Sequence, residues 1–210
     1  IYDKAGEILR AGGLVAFPTE TVYGLGADAL DVKASAKIYA AKGRPSDNPL
    51  IVHIADMDAL YKLSSEVPKT ALKLAEKFWP GPLTMILKKS DIVPDSITGG
   101  LGTVAIRMPS HKVAAELIRK SGVYIAAPSA NTSGKPSPTL ASHVIKDLSG
   151  KIDMIIADDT VDIGVESTII DLSEEVQAIL RPGYIRKEMF EEVIGRVTID
   201  PAITDGVKEG

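Results

Sequence analysis

Two short polar segments contain the residues whose types are best suited to chemistry. In residues 42–44, KGR, a glycine separates a lysine from an arginine. Residues 128–131, PSAN, bring a hydroxyl and an amide much later in the chain. A compact ammonium and a planar guanidinium together suit a polyphosphate. Neither segment would pack well in a core, so we interpret both as parts of a binding site.

Fixed cations also stand where other predicted elements end. Arg107 and Arg181 each close a predicted strand, and open α/β sheets bind ligands at the carboxyl ends of their strands. Taken alone, Lys42 and Arg44 are better explained as solvated cations near a helix C-terminus. Together, the four cations occur without a Ser-His-Asp order, a nucleophile elbow or a paired-carboxylate motif. This set favours phosphate displacement by a bound substrate group, with catalysis from positioning and charge stabilisation.

Two further segments and one histidine are also candidates for a site. Residues 18–24 follow the first predicted strand, so their threonines either form turn hydrogen bonds or face a ligand. His53 lies within an apolar run, where a single histidine is more often structural than a ligand. Residues 128–138 form a proline-stiffened polar loop before a predicted helix, and helix N-termini favour anions.

Familiar nucleotide and metal motifs are not satisfied. Residues 24–29, GLGADA, match G-x-G-x-x-A, but residues 18–23 separate them from the strand that this motif must follow directly. Gly134 and Lys135 are followed by Pro136 rather than serine or threonine, which excludes a Walker loop. The three histidines have no metal-ligand spacing, so we predict no metal ligand in the chain.

Composition limits the class of protein. The 210 residues fit one large domain, or one domain with a tail. The absence of cysteine excludes disulfides, thiolate nucleophiles and cysteine-based zinc sites. A net charge of −4 means that any contact with nucleic acid would need a local basic patch. No signal peptide opens the chain, and no apolar run approaches the length of a membrane span, so we expect a cytoplasmic protein without membrane contact.

The alternation of helical patterns with short β-branched runs predicts an α/β fold. Late strands follow one another closely, so we expect an open mixed β-sheet flanked by helices. Helices are predicted at 3–10, 31–42, 68–77, 111–120, 140–148 and 187–194. Strands are predicted at 14–17, 50–54, 83–87, 103–107, 124–127, 154–157, 167–172 and 176–180. Periodicity ends near Thr198, so we predict a domain over residues 1–197 and a linker-like tail over 198–210.

With these residues in view, the chain closely resembles the threonylcarbamoyl-AMP synthase family, also called the YrdC-like family. The matching segments appear in family order and span about residues 5–195: 17–26 (FPTETVYGLG), 42–45 (KGRP), 48–50 (NPL) with His53, 79–84 (WPGPLT), 104–109 (VAIRMP), 128–131 (PSAN), 166–168 (EST) and 181–183 (RPG). So many ordered segments make chance agreement very improbable.

This resemblance implies an activity as well as a fold. The family fold is an open twisted mixed sheet with a large concave cavity lined by positive charge. Family members are nucleotidyltransferases that join L-threonine, bicarbonate and ATP into threonylcarbamoyl-adenylate and release pyrophosphate. A separate tRNA threonylcarbamoyl transferase complex then uses the adenylate to make threonylcarbamoyladenosine in tRNA. The resemblance also implies Mg²⁺ on the ATP phosphates, held mostly by substrate oxygens and water because no carboxylate cluster is visible.

The resemblance also assigns roles to individual residues. L-threonine or its carbamate would be held by Thr19, His53, Arg107 and Ser167. ATP would be held by Lys42, Arg44, Thr103, Ala127, Ser129, Asn131, Ser137 and Arg181. Among these residues, the catalytic charges would be Lys42, Arg44 and Arg107.

Two other functions remain open, together with the extent of the protein. One is an RNA-binding module, for which we expect at most weak RNA or tRNA binding because aromatic residues make up only 5% of the chain. The other is a related carbamoyl-adenylate chemistry on a different amine, since the acceptor pocket is not sized by sequence. Longer family members carry a second C-terminal domain after a linker, so this chain is either a natural single-domain form or, as we expect, the catalytic domain of such a member.

Overall fold

Short apolar runs rich in Val, Ile, Leu and Ala form the strands. In the computed structural model, which describes residues 1–203, ten strands join in one sheet. The strands are β1 Val15–Pro18, β2 Tyr23–Asp28, β3 Ile51–His53, β4 Leu83–Lys88, β5 Thr103–Arg107, β6 Ile125–Ala127, β7 Met154–Ile155, β8 Thr168–Asp171, β9 Ala178–Arg181 and β10 Thr198–Ile199. Their order across the sheet is β10-β9-β8-β4-β5-β3-β6-β2-β1-β7.

The sheet is open and mixed. Its edges are β10 and β7, which do not pair with each other. Parallel pairs join β1 to β7, β3 to β5, β4 to β8 and β9 to β10, whereas the remaining neighbours are antiparallel. The expectation of an α/β fold with an open mixed sheet is therefore confirmed.

Helices cover the sheet and bury its apolar side chains. They are α1 Tyr2–Arg10, α2 Val32–Lys42, α3 Met57–Leu63, α4 Lys69–Phe78, α5 Lys112–Ser121, α6 Ala141–Leu148 and α7 Lys187–Ile194, with a 3₁₀ turn at Asp95–Ile97. The larger core cluster includes Val52, Met85 and Ile106 of the central strands. A smaller cluster packs Leu9 of α1 and Leu117 of α5 against β1. Among the described residues, no helix combines the length and apolar character needed to cross a bilayer.

The structure adds elements that sequence patterns did not predict. The strand β2 pairs with β1 on one side and β6 on the other, although it contains two glycines. A Cβ on Gly26 would come within 2.6 Å of Ile125 and 2.8 Å of Phe17, so close packing requires glycine at this position. The helix α3 was also missed. The strand β2 depends on partners that are distant in sequence. The helix α3 has only seven residues, so its local pattern is short.

The C-terminal end of the sheet extends slightly beyond the predicted domain. Val197 is buried, and β10 at Thr198–Ile199 pairs in parallel with β9. Two residues assigned to the tail from sequence therefore belong to the sheet. Residues 204–210 of that expected tail lie outside the described residues, and the division near residue 197 stays a prediction.

Candidate active site

Alternation along the central strands directs one set of side chains toward a cavity of about 240 Å³. Ile51 and His53 of β3 line it, as do Ala105 and Arg107 of β5. The residues between them, such as Val52, face the core on the other side of the sheet. The binding face is therefore a direct result of the two-residue period of the strands.

Most of the predicted ligand residues line this cavity. The residues brought together there are Thr19, Arg44, His53, Arg107, Ala127, Ser129, Ser167 and Arg181. Four predicted residues do not line it, namely Lys42, Thr103, Asn131 and Ser137. Thr103 begins β5 and pairs with Lys88, which places it two residues along the strand from Ala105, on the same face but beyond the cavity wall.

Strand register puts the threonine-binding candidates beside one another. His53 is the cross-strand partner of Arg107, and Arg107 in turn faces Thr84 on β4. The hydroxyl of Thr84 lies 2.7 Å from that of Ser167. This row across the sheet joins segments that are far apart in sequence.

Arg107 is held by a buried polar network. Its side chain is 4% exposed, and its Nη2 donates to Glu20 at 2.5 Å while Nη1 donates to Thr21 at 2.9 Å. The second oxygen of Glu20 accepts from the backbone and side chain of Ser110 at 2.6 and 2.5 Å. Burial alone would raise the pKa of Glu20, but the charge of Arg107 and the bonds from Ser110 hold that pKa below its ordinary value. Glu20 is therefore ionised at neutral pH.

His53 enters the site as a neutral imidazole. Burial, followed by the positive charge of Arg107, lowers the pKa of His53 to about 4. Its Nδ1 lies 3.0 Å from the carbonyl oxygen of Ile51, which can only accept, so Nδ1 carries the hydrogen. The ring also packs edge-on against Phe17 at a centroid distance of 6.0 Å. His53 therefore packs against Phe17 as a structural residue and also lines the cavity, so both interpretations of it apply.

The hydroxyl of Thr19 is largely committed to shaping its own loop. It donates to the carbonyl oxygen of Val22 at 2.7 Å and accepts from the amides of Thr21 and Val22 at 3.2 Å. This is the turn interpretation of the segment. Thr21, to which the family resemblance assigned no role, instead contacts Arg107 directly and also lines the cavity.

The KGR segment is positioned by the two ends of α2. Asp31 caps the start of the helix by accepting from two backbone amides at 3.0 and 3.1 Å. Gly43 ends it in the left-handed conformation with φ of 64°, which favours glycine. The chain then turns so that Arg44 lines the cavity, where its Nη2 donates to the carbonyl oxygen of Pro49 at 3.0 Å.

Lys42 does not line the cavity, and its side chain extends into the PSAN loop. It is 1% exposed, and its ammonium donates to the carbonyl oxygens of Ser129 and Asn131, the latter at 2.7 Å. Burial, followed by repulsion from Arg44, lowers the pKa of Lys42 to about 8. Ser129 donates to the side chain of Asn131 at 2.5 Å, which completes the junction. The two polar segments found in the sequence are thus in direct contact.

Glu166 links Ser137 to Arg181. Its carboxylate accepts from the hydroxyl of Ser137 at 2.6 Å and pairs with Arg181 at 2.9 Å. Arg181 also donates to the hydroxyl of Ser167 at 3.0 Å. Ser137 therefore touches the site through Glu166 rather than by lining the cavity itself.

Glu20 was missed as a site residue, and Thr21 was considered only as one of the threonines of residues 18–24. Both lie in the segment 17–26, whose polar pattern was noted, but nothing local indicated that Glu20 is only 5% exposed. A buried carboxylate requires a partner, and that partner, Arg107, is distant in sequence.

The chain is similar to a known protein family and to named relatives over most of its length. Residues 7–183 match the family of Sua5, YciO and YrdC, whose description reads "Telomere recombination". The threonylcarbamoyl-AMP synthase of Pyrococcus abyssi is 58% identical over 199 residues, which cover 95% of this chain and 58% of that protein. The Bacillus subtilis protein of the same name is 54% identical over 203 residues, covering 96% and 59%.

A solved structure supports the same grouping. The crystal structure of Pyrococcus abyssi Sua5 complexed with L-threonine matches with a TM-score of 0.95 and 57% identity. The match covers 97% of this chain and 60% of that one, so the chain spans less than two thirds of the length of these relatives. Since the family match covers most of the chain and the fold agrees, this chain belongs to the Sua5/YciO/YrdC family, as its ordered motifs indicate.

Proposed function

We propose that this chain is a threonylcarbamoyl-AMP synthase domain, which forms threonylcarbamoyl-adenylate and pyrophosphate from L-threonine, bicarbonate and ATP. The observation that carries the proposal is the convergence of Arg44, Arg107 and Arg181 on one cavity. Three guanidinium groups suit a ligand set that contains both a carboxylate and a polyphosphate.

Two groups of side chains in the cavity fit different substrates. Arg107, which is ion-paired with Glu20, lies beside neutral His53, and its guanidinium suits the carboxylate of an amino acid. Arg44, Arg181 and Ser129 also line the cavity, and two guanidinium groups with a hydroxyl suit the phosphates of ATP. We therefore assign L-threonine to Arg107 and His53, and ATP to Arg44 and Arg181.

In this arrangement the reaction is a nucleotidyl transfer between bound substrates. The amine of threonine captures carbon dioxide derived from bicarbonate, and the resulting carbamate oxygen attacks the α-phosphorus. The bond from that phosphorus to pyrophosphate breaks, and the cations stabilise the negative charge that develops. Ser129 and Ser167 are bonded to Asn131 and Thr84 rather than to a histidine base, which agrees with a reaction that needs no covalent nucleophile.

Mg²⁺ is proposed to accompany ATP, where it neutralises phosphate charge when bound. Within the described part of the chain, no cluster of three or more acidic or histidine side chains could hold a metal. Glu166 is the carboxylate that lines the cavity, beside Arg181. One carboxylate with phosphate oxygens and water fits the usual coordination of Mg²⁺, so Glu166 is the residue that would contribute a ligand.

The product is a mixed anhydride that must be consumed by another enzyme. We propose that a tRNA threonylcarbamoyl transferase complex takes it for threonylcarbamoyladenosine formation, which places this reaction in the cytoplasm with its ATP and tRNA. The amino-acid preference and this downstream step rest on the family relationship.

The decisive experiment measures pyrophosphate release from ATP and bicarbonate, with and without L-threonine. Threonine-dependent release together with a labile adenylate would support the proposal. Absence of release, combined with absence of ATP and threonine binding in calorimetry, would refute it. If both ligands bind without turnover, the proposal that these 210 residues suffice for the reaction is refuted.

A further inference from the structure

A buried carboxylate stands directly behind the proposed amino-acid site. Glu20 is 5% exposed and does not line the cavity, yet it contacts Arg107, which does. Its other oxygen is held by Ser110 through both the backbone amide and the hydroxyl. Glu20 is therefore fixed on one side by Ser110 and on the other by Arg107.

These contacts determine which N–H groups of Arg107 remain for a ligand. A guanidinium has five N–H groups. The protein occupies three of them, because Nε donates to Gly81, Nη1 donates to Thr21 and Nη2 donates to Glu20. One N–H on each terminal nitrogen is left to donate to a ligand carboxylate.

The fixed orientation has a chemical use. An arginine side chain has several rotatable bonds, and a bidentate contact loses strength when the guanidinium plane rotates. Glu20 and Thr21 are adjacent in one turn and hold the two terminal nitrogens separately. The turn is itself closed by the hydroxyl of Thr19, so the whole segment 19–21 acts on the orientation of Arg107.

We propose that Glu20 is a positioning residue for the amino-acid substrate: it holds Arg107 so that two free N–H groups face the substrate carboxylate. This inference rests on the proposed function, since it takes an amino acid as the ligand of Arg107. Glu20 itself does not touch the substrate. Its role is distinct from a simple supply of charge, because its own negative charge would repel the substrate carboxylate.

Two substitutions at Glu20 separate orientation from charge. Glu20→Gln keeps the shape and removes the charge, whereas Glu20→Asp keeps the charge and shortens the reach. A positioning role predicts that both variants bind L-threonine at least tenfold more weakly in calorimetry, with the KM for threonine raised and the KM for ATP unchanged. If charge repulsion dominates instead, Glu20→Gln binds threonine more tightly, and that result would overturn the proposal.

A milder variant keeps the test valid if the Glu20 variants do not fold. Ser110 is exposed, and Ser110→Ala removes one of the bonds to Glu20 while leaving the backbone amide in place. We expect a smaller loss of threonine affinity, about twofold to fivefold, with unchanged affinity for ATP. The matched control is Ser90→Ala, which removes a hydroxyl bond to Lys62; neither residue lines the cavity, so this variant should change neither affinity.

The outcomes distinguish this inference from the proposed function. If the wild-type protein binds L-threonine and releases pyrophosphate while Ser110→Ala and the Glu20 variants bind threonine normally, only the positioning role is refuted. If the wild-type protein binds no threonine, both are refuted. Equal losses of threonine and ATP affinity in the Glu20 variants would indicate a general structural role and would also refute the positioning role.

Discussion

The ammonium of Lys42 lies 2.7 Å from the carbonyl oxygen of Asn131, and this buried contact joins the two polar segments that stand out in the sequence. The same ammonium also donates to the carbonyl oxygen of Ser129. Lys42 is 1% exposed and does not line the cavity. In this structure its contacts shape the loop that borders the proposed ATP site, and Arg44 is the cation of the segment that reaches the cavity.

Replacement of Lys42 should therefore weaken ATP binding through the loop. In Lys42→Met, the carbonyl oxygens of Ser129 and Asn131 lose a donor, and each such bond is worth about 0.5–1.5 kcal/mol. We expect ATP affinity to fall about tenfold while threonine affinity is retained, as measured by calorimetry. Lys33→Met, an exposed lysine on the same helix, is the control. Unchanged ATP affinity in Lys42→Met would contradict this role.

The arginines that line the cavity should differ in the substrate they affect. We expect Arg44→Ala to raise the KM for ATP and Arg107→Ala to raise the KM for threonine. Loss of a charge-assisted contact in the transition state should cost about 2–4 kcal/mol in kcat/KM. Pyrophosphate release kinetics provide the measurement, and the exposed Arg119→Ala provides the control. Near-normal turnover in both site variants would refute the assignment of these residues.

Arg107→Ala should also lower the free energy of unfolding of the protein. Arg44→Ala should lower it less. Removal of Arg107 leaves Glu20 as an unpaired buried carboxylate, and breaking a buried pair in this way costs about 3–5 kcal/mol. Urea unfolding of Arg107→Ala and of the double variant Arg107→Ala/Glu20→Gln tests whether the unpaired carboxylate causes the loss. The double variant should recover part of the lost stability, whereas equal stability of the two variants would show that the pair is not the cause.

His53 should make the protein less stable in mild acid. Its pKa is 6.5 in the unfolded chain and about 4 in the folded protein. Between these values the unfolded chain binds a proton that the folded protein does not, so stability falls as pH decreases from 6.5 toward 4. At pH 5 the loss relative to pH 7.5 should be about 2 kcal/mol. In His53→Gln this contribution is absent, and an equal loss in both proteins would contradict it.

Gly183 should be intolerant of a side chain because it packs against the segment that carries Glu166. A Cβ at this position would lie 2.6 Å from the amide nitrogen of Thr168 and 2.7 Å from the carbonyl oxygen of Glu166. We expect Gly183→Ala to cost about 1–3 kcal/mol of stability, measured by urea unfolding, and to raise the KM for ATP. Gly102→Ala, with no atom within 4 Å, is the control and should be nearly neutral. Similar stabilities for both variants would refute the packing explanation.

Local patterns were sufficient for most regular elements. The strand β5 at Thr103–Arg107 and the helix α7 at Lys187–Ile194 have the predicted bounds, because β-branched alternation and a helical apolar stripe are encoded within a few residues. The strand β2 was missed because its glycines weaken the local signal, and its pairing with β1 and β6 forms only in the folded chain. The secondary-structure propensity of a segment predicts an element only where the side chains of that segment show the pattern of a strand or a helix.

The sequence by itself determined the fold class, the family and the position of the polar segments along the chain, since motifs and periodicity are local properties. Only the tertiary structure decided how those segments meet. It turned Lys42 into the PSAN loop and placed the unnoticed Glu20 behind Arg107. The physical reason is that burial and pairing of charges depend on residues far apart in sequence, and a buried charge has a definite role only when its partner is present.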